Sequence, residues 1–202
     1  MDTIVSAGLE RAVGYKKYRD IVTALLEDGK SSGHVQSDDL THYLLLNQTR
    51  MNRLEKTLRL DDESVTALNT LSQSYKWLVI SEGWCGDAAQ LLPIMNLLAD
   101  NVANIDLKIL FRDDNPELMD LFLTNGSRSI PKLIVVDPEK KVVGHWGPRP
   151  KGAAELIARH KAEKGVVDEE AKTALQMWYL HDKGISTQQE LAALMLQVDS
   201  RT

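Results

Sequence analysis

The run Ser81-Glu82-Gly83-Trp84-Cys85-Gly86-Asp87-Ala88, followed eight residues after its cysteine by Pro93, holds the only cysteine of the chain. Trp77 to Ile80 before it is a short apolar run of strand character, and Ala88 to Leu98 after it is apolar over a helical length. The turn between them predicts Cys85 at a helix N-terminus, where unpaired backbone N–H groups and the helix dipole favour a thiolate. A thiol there is expected to be partly solvent accessible, with a pKa below the ~8.5 of free cysteine. The other reading is a small buried hydrophobe, but a strand-to-helix turn behind Gly83 and Trp84 is a poor place to hide a side chain. Asp87 favours the protonated thiol if its carboxylate turns toward the sulfur, and caps the helix if it does not. The position three after Cys85 is Ala88. Such a chain can attack a disulfide but cannot resolve the mixed disulfide by itself.

Two further landmarks stand at fixed order behind the cysteine. Gly126-Ser127-Arg128-Ser129-Ile130-Pro131 leads into the apolar run Lys132 to Val136. Lys140-Lys141 then separates that run from Val142 to Trp146, which predicts an antiparallel hairpin. With Pro93 in the helix after the cysteine and Asp113, Asn115 and Pro116 ahead of the next helix, residues 61 to 163 resemble thioredoxin throughout. The resemblance implies an α/β fold: a roughly four-stranded mixed sheet with helices on both faces, and strand 105–111 near one edge. It also implies a cis Ile130–Pro131 bond that presents the Ile130 backbone beside Cys85, where an extended thiol substrate can pair with it. The buried acid that thioredoxins carry six positions before the first cysteine corresponds to Val79, and their additional strand before the first helix has no apolar alternating run here.

Composition bounds the partners. Across 202 residues, 24 Lys plus Arg stand against 29 Asp plus Glu, a formal charge of −5. That balance speaks against general nucleic-acid or anionic-membrane binding. The start, Met1-Asp2-Thr3-Ile4-Val5, lacks the marks of a secretory signal. One cysteine forms no internal disulfide, so a cytoplasmic location is the expectation. The five histidines are scattered, and none is spaced with Cys85 or a carboxylate as a metal site requires. No metal and no cofactor is expected.

Three stretches follow. Residues 1–60 read as a helical N-terminal extension, with Tyr15, Tyr18, Val22, Leu25 and Leu26 at helical spacing up to Gly29, and a second helix starting near Ser37 or Asp38. Residues 61–164 form the thioredoxin-like domain, opening at Asp61-Asp62-Glu63-Ser64 and closing with a last helix, Lys151 to Lys164, that Gly165 ends. Residues 165–202 read as a helical C-terminal extension in two helices, one capped by Asp168 and one opening on the capping-box spacing of Thr187 with Glu190.

The function implied is that of a bacterial-type, single-cysteine thioredoxin-like protein, with Cys85 as the nucleophile of thiol–disulfide exchange. Trp84, Gly86, Asp87, Ile130 and Pro131 are the substrate-binding residues. The substrate is a disulfide-containing protein or a glutathione-type low-molecular-weight mixed disulfide, and an external thiol releases the product. Trp146 is a second candidate to flank the groove, and both tryptophans also read as core aromatics. Arg128 and Lys132 are candidates to meet a substrate carboxylate, with simple solvation as the other reading. A redox-inactive binding module that keeps the proline groove is the alternative, favoured by Ala88 and Val79. An iron–sulfur carrier on the pattern of monothiol glutaredoxins is a third, which Gly86-Asp87-Ala88 disfavours.

Overall fold

The computed structural model describes residues 2–201. Four helices come first: α1 (Asp2–Arg11), α2 (Tyr15–Glu27), α3 (Asp38–Thr57) and α4 (Asp62–Leu68). The sheet region then runs β1 (Tyr75–Ser81), α5 (Gly86–Asn101), β2 (Ile105–Phe111), α6 (Pro116–Asp120), β3 (Lys132–Val136) and β4 (Val142–Trp146). Three helices close the chain: α7 (Lys151–Lys164), α8 (Glu169–Asp182) and α9 (Ile185–Asp199).

Strand order is β2-β1-β3-β4, with β1 parallel to β2 and antiparallel to β3, and β3 antiparallel to β4. This is the mixed four-stranded α/β arrangement expected from the sequence, with β2 at one edge. The order follows from the connections. A helical crossover through α5 is long enough to return the chain parallel, whereas the short link from Asp137 to Lys141 allows only a hairpin. Central strands buried on both faces read as unbroken apolar runs rather than alternation. Accordingly every β1 residue from Trp77 onward, and all of β3, is buried.

Where thioredoxins place a further strand, the outer edge of β2 carries a single bridge from the link between α1 and α2. Val13 and Ile109 exchange both backbone hydrogen bonds at 2.8 Å. Helices α2 and α3 contribute Tyr18, Val22, Leu44 and Met51 to the same hydrophobic cluster that holds the sheet residues. Gly83 is the price of that approach: a Cβ on it would lie 2.6 Å from Leu44 and 3.1 Å from Val22.

Local signals fare unevenly. Ser37, Asp61 and Asp168 each accept a backbone N–H at the start of α3, α4 and α8, as capping residues do. The capping box at Thr187 and Glu190 does not form. Helix α9 already begins at Ile185 behind Gly184, Thr187 is buried, and Glu190 accepts from Trp146 Nε1 at 2.8 Å and Lys151 N at 2.7 Å. The helix laid against β4 and α5 is α9, while α7 packs on α8. Among the described residues no helix is long and apolar enough to cross a membrane.

Candidate functional site

Strand β1 ends at Ser81, and the turn from Glu82 to Trp84 delivers Cys85 to the start of α5. Its sulfur is the N-cap of that helix and accepts from Ala88 N at 3.5 Å. The Ile130–Pro131 peptide is cis, and Ile130 O lies 3.4 Å from Sγ, accepting the thiol proton. Cys85, Trp84, Gly86, Asp87 and Ile130 line one groove of about 690 Å³. Pro131 is buried directly behind Ile130 and does not line it.

The thiol differs from its expected state. Cys85 is buried, with 8% of its surface exposed. Burial pushes its pKa up to about 12, and the charge of Asp87 adds to the rise against N–H donation from Ala88 and Asp87 and the nearby Arg149. The helix N-terminus therefore acts as expected in sign but is outweighed by desolvation. Asp87 is not the cap. It is buried, receives the Tyr179 hydroxyl at 2.8 Å and pairs with Arg149 Nη2 at 2.6 Å. Tyr179 is held well above the usual phenol range by burial and by Asp87. For Arg149, burial opposes the charge but the Asp87 carboxylate outweighs it and raises the pKa.

Glu82 is engaged elsewhere than at the sulfur. Its carboxylate accepts from Ser32 Oγ and from Asp113 N, the latter at 2.9 Å, and burial raises its pKa against both bonds. It clasps the loop before α3 to the segment after β2. Val79, in the place of the thioredoxin acid, is a core residue.

Of the two tryptophans, Trp84 lines the groove beneath the Arg112 guanidinium, 4.9 Å from its ring centroid. Trp146 instead donates to Glu190 of α9. Of the two bases, Arg128 reaches the groove while paired to Asp120 at 2.6 Å. Lys132 does not: it is buried, and its Nζ donates to Thr124 Oγ1 at 2.6 Å and Gly147 O at 3.1 Å.

Among the residues that escaped the sequence reading are Arg50 and Arg149, which line the groove, and Tyr179, which holds Asp87 from behind it. Arg149 stands between Pro148 and Pro150 just past β4, a setting that freezes its backbone and could have drawn notice. Tyr179 shares a helical face with Leu175 and reads as core. Arg50 sits on α3, where Nη1 donates to Asn47 Oδ1 at 2.5 Å, and Asn47 Nδ2 in turn donates to Gly83 O at 2.9 Å. Burial, then neighbouring Arg53, lowers the Arg50 pKa.

The geometry supports one chemical test directly. Ala88 is buried and its backbone N–H already touches Sγ, so Ala88→Cys is expected to form an internal disulfide under mild oxidant. Intact mass would record the loss of two hydrogens. A folded variant that stays fully reduced would mean that this turn cannot close a Cys-x-x-Cys ring.

Comparison with known proteins bears on the family and the fold. A family model described as Thioredoxin matches residues 33–164. The crystal structure of a Pseudomonas aeruginosa protein of unknown function aligns with a TM-score of 0.55 at 19% identity, covering 92% of this chain and 96% of that one. An HIV epitope scaffold aligns with a TM-score of 0.54 at 20% identity, covering 94% of this chain and 99% of its own. At such identities these likenesses speak to the fold alone. No curated protein matches the chain.

Proposed function

The chain belongs to the thioredoxin family, and from that premise we propose that it carries out single-cysteine thiol–disulfide exchange through Cys85. What carries the reading is the placement of Sγ at the start of α5, 3.4 Å from Ile130 O beside Pro131, on the wall of an open groove. A disulfide R–S–S–R′ docked along Ile130 meets the sulfur there. Cys85 loses its proton, the Cys85–S–S–R bond forms as the S–S bond of the substrate breaks, and R′–S⁻ leaves and takes up a proton. Cys85 is oxidised and R′ reduced. An external thiol, of the kind a reducing cytoplasm supplies, attacks the mixed disulfide, restores Cys85–SH and carries R away in a new disulfide.

The raised pKa sets the tempo. With the thiol protonated far beyond neutral pH, the thiolate fraction grows about tenfold per pH unit. Adduct formation with bis(2-hydroxyethyl) disulfide, followed by intact mass, is therefore expected to climb from pH 7 to pH 10 without a plateau, and the adduct to vanish on adding dithiothreitol. A plateau near pH 7 would show a thiolate already formed at rest. No adduct at any pH, while the denatured chain reacts, would overturn exchange.

The burial of Cys85 favours a second reading, a binding module with little redox turnover. Such a protein keeps its partners in Cys85→Ser, whereas an exchange protein no longer traps them covalently.

A further inference from the structure

The groove around Cys85 is narrower and more basic than a strand-to-helix turn alone would make it. Helix α3 walls one side with Tyr43, Leu46 and Arg50, and α8 walls the other with Lys172, Thr173 and Gln176. Across the groove Lys172 Nζ stands 6.0 Å from the Tyr43 ring centroid, and Gln176 accepts from Gln90 of α5 at 2.8 Å. The remaining space, about 690 Å³, is that of a small-molecule site, for which ~300–1,000 Å³ is usual.

Five cationic side chains line this space against the carboxylates of Asp87 and Glu169, in a chain whose net charge is −5. Most are matched. Arg149 pairs with Asp87, Arg112 with Asp113, Arg128 with Asp120 and Lys172 with Glu169. Arg50 forms no salt bridge among the described residues: the Asp87 carboxylate is near enough to favour its charge but is taken by Arg149 and Tyr179, and the one hydrogen bond of Arg50 there spends Nη1 on Asn47. The same Nη1 lies 4.0 Å from where a Cβ on Gly86 would stand, one residue past the cysteine. Nε and Nη2 thus remain to receive a planar anion, the two-point geometry a guanidinium offers a carboxylate.

Resting on the exchange reading, we propose that the substrate is an anionic low-molecular-weight disulfide whose carboxylate is held by Arg50 while its sulfur meets Cys85. The test compares adduct rates at Cys85 for three probes, each normalised to its rate with free 2-mercaptoethanol: anionic glutathione disulfide, neutral bis(2-hydroxyethyl) disulfide and cationic cystamine. The expected order is anionic, neutral, cationic, with the first about tenfold ahead of the second and the gap closing as salt rises. In Arg50→Gln the anionic-to-neutral ratio is expected to collapse toward one, and in Arg50→Lys to survive in part. Equal normalised rates, an unchanged ratio in Arg50→Gln, or a folded disulfide-bearing protein reacting faster than all three probes would overturn the assignment and leave exchange standing. No adduct from any probe would instead overturn exchange. The anion site is then judged by calorimetric binding of S-methylglutathione, which cannot exchange. Weaker binding in Arg50→Gln supports the site, and equal or absent binding overturns it.

Discussion

Replacing Cys85 by serine is expected to abolish adduct formation with every disulfide while leaving the fold at its original stability. A hydroxyl does not attack a disulfide under conditions where a thiol does, so the loss is complete rather than graded. The structural role of the sulfur survives the change. Sγ is an N-cap that accepts from Ala88 N and donates to Ile130 O. Serine is among the best N-cap residues and can make both bonds, so the stability change should stay within about 1 kcal/mol. Intact mass after disulfide treatment and the midpoint of urea unfolding check the two halves. Residual adduct would place reactivity outside Cys85. A loss of ~3 kcal/mol or more would mean that sulfur packing outweighs the cap.

Ending the chain after Gly184 is expected to unfold it. Helix α9 buries Leu191, Ala192, Met195 and Val198, and Trp77 Nε1 at the centre of the sheet points at Met195 Sδ, 3.2 Å away. Gln188 accepts from Asp61 N at 2.9 Å and donates to Arg59 O at 3.0 Å, and Asp199 receives Ser72 N and the Tyr75 hydroxyl. At ~1.5–3 kcal/mol for each large apolar side chain, counted on α9 and on the face it leaves bare, the loss is on the order of 10 kcal/mol. That matches the whole stability of a typical domain, about 5–15 kcal/mol. Circular dichroism should show no cooperative melt. A truncated chain melting within about 5 °C of the full one would contradict this packing account.

These two outcomes separate what the sequence makes legible from what it hides. Strands β2, β3 and β4 were readable because an apolar run bounded by turn residues is a local property, and so were the caps at Ser37, Asp61 and Asp168. The environment of Cys85 was not. Its turn signals exposure, yet the groove that closes over it is walled by α3 and α8, dozens of residues away in either direction. Asp87 read as a cap because its partners, Arg149 and Tyr179, lie 62 and 92 positions further on. Lys132 read as a surface base because nothing near it in sequence announces Thr124 Oγ1 and Gly147 O as acceptors. Arg50 carried no signal of its own, since one arginine on a polar helix face looks like any other.

The contact between Tyr179 and Asp87 joins the helix bearing the cysteine to a segment near the end of the chain. A ribosome adds residues at about 5–20 per second, and domains begin to fold from the N-terminal side. On a nascent chain Cys85 therefore emerges seconds before α8, the helix that walls its groove. During that interval the sulfur is open to any oxidant it meets. The finished protein owes the quiet state of its cysteine in part to a segment made well after it.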